Sequence, residues 1–93
     1  MSGPLDGIRV LDLTSVVMGP YASATLADHG ADVIKIEPPA GDVMRKSGPM
    51  RHADMGHCYV SLGRNKRSLA LDLKQPQGRA VLLRMVRDAD VLV

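Results

Sequence analysis

From Ile8 to Ile36 the chain reads strand, helix, strand within about 30 residues, the spacing of a βαβ unit. Ile8-Arg-Val-Leu-Asp-Leu13 is a mostly buried strand, and Thr14 to Gly19 leave it as a loop. Pro20 suits the first turn of a helix, where its missing N–H costs nothing. Tyr21 to His29 are rich in small residues, as a helix packed close to a sheet requires, and Gly30 stops that helix. Asp32 to Ile36 form the second strand. Such a unit requires parallel strands and a right-handed crossover, which commits the chain to the α/β class.

Past Glu37 the periodicity lapses. Pro38-Pro-Ala-Gly-Asp42 ends the strand, and residues 38–58 are expected to be a loop. Ser68 to Leu73 then read as a strand with Leu69, Leu71 and Leu73 on one face. Pro76 opens a second helix, whose apolar stripe is Leu82, Met85, Val86 and Ala89. Asp90-Val-Leu-Val93 opens a further buried strand. The expectation is therefore an incomplete α/β sheet with flanking helices, the N-terminal portion of a larger domain spanning 1–93.

Composition narrows the function. With 93 residues, 45% apolar, 24% charged and a net charge of +2, the chain is neither a disordered tail nor two domains. No apolar run is long enough to span a membrane, and Met1 to Asp6 lack a basic secretory n-region. Cys58 is the only cysteine, so no internal disulfide exists and a cytoplasmic location is expected. Tyr21 and Tyr59 are the only aromatics. The core must be aliphatic, and a base-stacking nucleic-acid surface is not expected.

Two segments are candidates for ligand contact. The loop Thr14 to Pro20 leaves a strand and enters a helix N-terminus, where open α/β sheets hold anions, although Gly19 stands without a dinucleotide glycine fingerprint. Between residues 44 and 67, six cations (Arg45, Lys46, Arg51, Arg64, Lys66 and Arg67) face Asp54 alone. That concentration suits either a polyphosphate ligand or a solvated loop. His52, His57 and Cys58 lack metal-ligand spacing, and in extended chain His57 and Cys58 would point to opposite faces. No catalytic constellation and no metal site are expected.

As strings, several segments resemble the N-terminal region of the family III CoA-transferases, a group that includes formyl-CoA transferase, carnitine-type CoA-transferases and methylacyl-CoA racemases. They are Pro4 to Thr14, Gly19-Pro-Tyr-Ala22, Leu26 to Pro39, Asn65 to Lys74 with Gly78-Arg79, and Ala89 to Val93. The resemblance runs in order along nearly the whole chain. It implies a Rossmann-like parallel sheet that binds coenzyme A or an acyl-CoA as substrate, with no tightly bound cofactor. Val17 and Met18 match the strand-to-helix loop that meets the CoA, while Leu71, Asp72, Leu73 and Lys74 match a stretch that holds its nucleotide portion. The formyl-transferring branch carries an arginine contact where this chain has Pro38, and apolar Val17 and Met18 suit an acyl group better than a small dicarboxylate.

The resemblance further implies that the catalytic aspartate of the transferase branch lies past Val93, so this chain alone is expected to be inactive. Its relatives form intertwined homodimers, and this chain is expected to need a partner polypeptide. An acyl-CoA racemase fragment and a stand-alone α/β interaction module without catalysis are the competing readings.

Overall fold

A computed structural model describes residues 3–93. Four strands, β1 (Arg9–Asp12), β2 (Asp32–Glu37), β3 (Lys66–Ala70) and β4 (Val91–Leu92), form one sheet in the order β3-β2-β1-β4. Every pairing is parallel. Helices α1 (Met18–Asp28), α2 (His57–Leu62) and α3 (Pro76–Val86) connect them, with a 3-10 turn at Val43–Lys46 before α2. The expected α/β class and parallel sheet are therefore what the chain adopts.

Register decides which residues share a face. Asp12 pairs with Lys35, Val33 with Lys66, and Lys35 with Ser68. Alternation then puts Val10, Asp12, Val33, Lys35, Glu37, Lys66 and Ser68 on one side. Helix α1 covers its apolar half: Val10 and Val33 pack against Ala27 and Ala31, with Leu5, Ile8 and Leu26 around them. Alanines at 24 and 27 let the helix approach closely, and both are buried. Leu11 and Ile36 are buried on the opposite side. The β3-to-β4 connection runs back across the sheet, so the right-handed rule assigns α3 to that side.

Several boundaries differ from the sequence expectation. Strand β3 starts at Lys66 and ends at Ala70, so Leu71 and Leu73 lie beyond it. Asp72 is the reason: its carboxylate accepts the Lys74 N–H at 3.1 Å, a local turn that competes with the ladder. Residues 38–58 contain the 3-10 turn and a bridge between Met50 and Gly56, and their last two residues already belong to α2. Helix α2 has six residues, too few to declare a period. Helix α3 begins at Pro76 as expected but closes at Val86, leaving Ala89 outside. Gly30, at φ 104°, supplies the left-handed stop after α1.

Candidate functional site

The strand order reverses direction between β1 and β4. The chain passes from β1 outward to β2 and β3, then returns to the other flank of β1. Open α/β sheets hold ligands outside the carboxyl ends of strands at such a switch. Two hollows lie at those ends here. One, of 220 Å³, is lined by Leu13, Ile36, Glu37, Pro38 and the whole of Leu71 to Lys74. The other, of 180 Å³, shares Leu13, Ile36, Glu37 and Pro38 and continues along Thr14, Ser15 and Gly41 to Val43. The four shared residues join them into one groove.

The Leu71–Lys74 wall is fixed by its backbone. Leu71 N–H donates to Glu37 O at 2.9 Å, and Gln75 N–H donates to Asp72 O at 3.1 Å. Arg79 Nη1 donates to the Leu73 and Lys74 carbonyls at 3.1 and 3.2 Å. Gly78 is required beneath it, because a methyl group there would overlap the Asp72 carbonyl. Lys74 is exposed, and no ion pair engages its ammonium among the described residues.

Val17 and Met18 stand apart from that wall. Val17 caps α1 and Met18 is its first residue, 87% exposed, and neither lines the groove. The backbone that presents them is strained: Val16, a β-branched residue, sits at φ 71°. Gly19 cannot carry a side chain, since a Cβ would run into Thr14. The structure thus gathers Leu71, Asp72, Leu73 and Lys74 into one groove and leaves Val17 and Met18 as an exposed apolar step beside the α1 N-terminus.

Beneath the groove lies a charged layer. Among the described residues five polar ones are buried with the apolar core: Asp12, Ser23, Lys35, Glu37 and Asp42. Asp12 pairs with Lys66 at 3.0 Å, Lys35 with Asp42 at 2.6 Å, and Glu37 with Arg45 at 2.6 Å. Asp12 also accepts bonds from Ser23 at 2.5 Å and from the Thr14 hydroxyl and amide. Lys35 reaches Thr14 O at 3.1 Å, and Asp42 takes the Ser15 hydroxyl at 3.0 Å. The β1–α1 loop is therefore tied to the β2–α2 loop through side chains alone.

These contacts set the charges. Burial works against the Asp12 anion, but bonds from Ser23, Thr14 and Lys66 outweigh it and hold its pKa below the ordinary value. Asp42 is lowered likewise, burial being overcome by Lys35 and the Met44 amide. The Arg45 guanidinium, helped by Ser68 and the Asp42 amide, brings Glu37 down to about 2. Burial dominates at Lys66 and lowers its pKa despite Asp12. All three carboxylates are ionised and committed to partners at neutral pH.

Four of the six cations between residues 44 and 67 form internal pairs: Arg45 holds Glu37, and the other three lie at 64, 66 and 67. Arg64 holds Asp28 at 2.6 Å, Arg67 holds Asp32 at 2.7 Å, and Lys66 is buried against Asp12. Arg64 and Arg67 also lie at the start of β3, the opposite end from Lys74. The charge of Arg64, Lys66 and Arg67 is therefore directed at Asp28, Asp12 and Asp32. The pairing of His57 and Cys58 also differs from expectation. Both are helical, and Cys58 Sγ lies 3.3 Å from His57 Nε2. Among the described residues no three His, Cys, Asp or Glu side chains converge to hold a metal, and no helix is long and apolar enough to cross a membrane.

Sequence reasoning missed Lys35, Glu37 and Asp42, and counted Arg45 only among the cations of residues 44–67. A usable signal was present: Val33-Ile-Lys-Ile-Glu37 places two charges at alternate positions of a strand otherwise apolar. Charges there must be paired when the strand is central.

Comparison with known proteins bears on this geometry. The sequence model of CoA-transferase family III matches residues 5–93. A succinyl-CoA:mesaconate CoA-transferase of Haloarcula hispanica is 46% identical over 95 residues, covering 98% of this chain and 24% of that protein. A succinyl-CoA–L-malate CoA-transferase alpha subunit of Chloroflexus aurantiacus is 43% identical over 93 residues, covering 97% of this chain and 22% of that one. Among solved structures, a CAIB/BAIF family protein from Brucella suis superposes with a TM-score of 0.90 at 38% identity, over 99% of this chain and 25% of that one. The chain spans about a quarter of the length of the curated relatives it matches.

Proposed function

The chain belongs to CoA-transferase family III, and on that premise we propose that it forms the coenzyme A-binding part of an enzyme that transfers CoA between carboxylic acids. The observation that carries this reading is the groove at the carboxyl ends of β1, β2 and β3, walled by Leu71 to Lys74. Its apolar residues Leu13, Ile36, Leu71 and Leu73 offer a surface for the adenine ring. The free Lys74 ammonium supplies a charge-assisted bond to a phosphate. Val17 and Met18, exposed at the first turn of α1, face the acyl end of the thioester.

Transfer is favoured over racemisation by the activities for which the relatives are named, which are CoA transfers from succinyl-CoA. The same names favour a small dicarboxylate as acyl group, against the apolar character of Val17 and Met18. The role assigned to this chain is binding; no residue of it is assigned the nucleophile, and its buried carboxylates are all held in ion pairs. CoA is a substrate here, with no resident cofactor. A further polypeptide segment or chain packs against the exposed apolar residues of α3 and β4, among them Leu83 and Leu92. The relative named as an alpha subunit supports a partner of that kind. The single cysteine supports a cytoplasmic location.

Titrating CoA into the isotopically labelled chain while following amide chemical shifts tests the site. Shifts should concentrate at Leu71 to Lys74, Leu13 and Gly41. Shifts confined to other surfaces, or none, would refute the assignment.

A further inference from the structure

Glu37 is an awkward group to find beside a polyanion. It ends β2, is only 5% exposed, and borders both hollows of the groove as well as a third, more polar one of 410 Å³ that includes Arg45, Asp54 and Ser68. An uncompensated carboxylate at that corner would repel the phosphates of coenzyme A at every approach.

Arg45 removes the difficulty. Its Nη2 donates to Glu37 Oε1 at 2.6 Å and its Nε to Oε2 at 3.0 Å, a bidentate fork. The guanidinium lies 4.0 Å over the Tyr59 ring, and Nη2 also donates to the Tyr59 hydroxyl at 2.5 Å. Ser68 Oγ donates to Oε1 at 2.7 Å and the Asp42 amide to Oε2 at 2.8 Å. Both carboxylate oxygens are thus filled by donors, and the fork itself is clamped by an aromatic ring.

We propose that Arg45 is a specificity-determining positioning residue: by neutralising Glu37 and occupying both of its oxygens, it allows a polyphosphate ligand to bind in the groove. The inference rests on the CoA reading above. A merely structural anchor would hold the Pro38–Asp42 loop without regard to the charge of the ligand. Charge compensation differs in two measurable ways: its loss is repaired by removing the Glu37 charge, and the deficit shrinks with salt.

The test is CoA affinity of the 93-residue chain, measured by calorimetry for the wild type, Arg45→Met, Glu37→Gln and the double variant. Arg45→Met should weaken CoA at least about tenfold at low salt, with the deficit narrowing severalfold at high salt. The double variant should return to near wild-type affinity, since a matched neutral pair leaves no uncompensated charge. A salt-independent deficit, or a double variant as weak as Arg45→Met, overturns the proposal. Should Arg45→Met fail to fold, Glu37→Gln decides alone: equal or tighter CoA binding supports it, and weaker binding by a folded Glu37→Gln overturns it. A wild-type chain that does not bind CoA refutes the reading of the groove and this inference with it. A wild type that binds CoA while Arg45→Met binds it equally well refutes the inference only.

Discussion

At the scale of single residues, the fold depends on charges placed inside it. Glu37 titrates at about 2 in the folded chain, against 4.5 for an ordinary glutamate. Its folded pKa is depressed, so its contribution is complete above the unfolded value and is lost as pH falls from about 4.5 toward 2. The shift corresponds to about 3 kcal/mol. Asp12 and Asp42, lowered in the same direction, lose stability over the same acid side. Denaturant melts of the wild type should therefore weaken steeply below pH 4.5, and Glu37→Gln should flatten part of that slope while lowering stability at pH 7. A second residue-scale expectation concerns Gly78. Alanine in a helix normally gains up to about 1 kcal/mol over glycine. Here the added methyl meets the Asp72 carbonyl, so Gly78→Ala should cost about 1–3 kcal/mol and loosen the Leu71–Lys74 wall. An unchanged or raised melting temperature for that variant would contradict the close approach.

At the scale of elements, what could be read from the sequence was what period and punctuation encode. Strands β1 and β2 and helix α1 were legible because alternation, the small-residue run and Gly30 agree with one another. Leu71 and Leu73 misled, because their spacing is that of a strand and the turn that ends β3 lies in one side chain, Asp72. Helix α2 was invisible because six residues hold less than two turns. The ion pairs were invisible for a different reason: Asp12 and Lys66 lie 54 residues apart, and the shorter pairs Lys35–Asp42 and Glu37–Arg45 reach into the segment where the periodicity lapses. The groove wall at Leu71 to Lys74 was placed by resemblance and not by pattern. The elements also differ in how firmly they are held. Strands β1 and β2 are largely buried, while α3 has no buried residue and β4 is exposed throughout. Native-state hydrogen exchange should accordingly be slowest at Val10, Leu11, Val33 and Ile36 and fastest in α3 and β4. Protection of β4 equal to that of β1 would contradict this ordering.

The whole molecule is flat, 36 × 36 × 19 Å, with a radius of gyration of 13.2 Å where a compact chain of this length gives roughly 12 Å. Its accessible surface is 5898 Å², above the ~5200 Å² expected for a folded monomer of 10.0 kDa. Part of that surface is apolar, at Val16 to Met18 on one side and at Leu83, Leu92 and Val93 on the other. The first group belongs with the proposed thioester site; the second is where a further polypeptide is expected to pack. Both assignments depend on the sheet forming a binding unit in this chain. Thermal unfolding of the purified chain with and without coenzyme A tests that most directly. A ligand that binds only the folded state adds RT ln(1 + [L]/Kd), about 2.7 kcal/mol at a hundredfold excess over Kd. The expected result is one cooperative transition whose midpoint climbs steadily with CoA concentration. A transition indifferent to CoA, or no cooperative transition at all, would contradict the account.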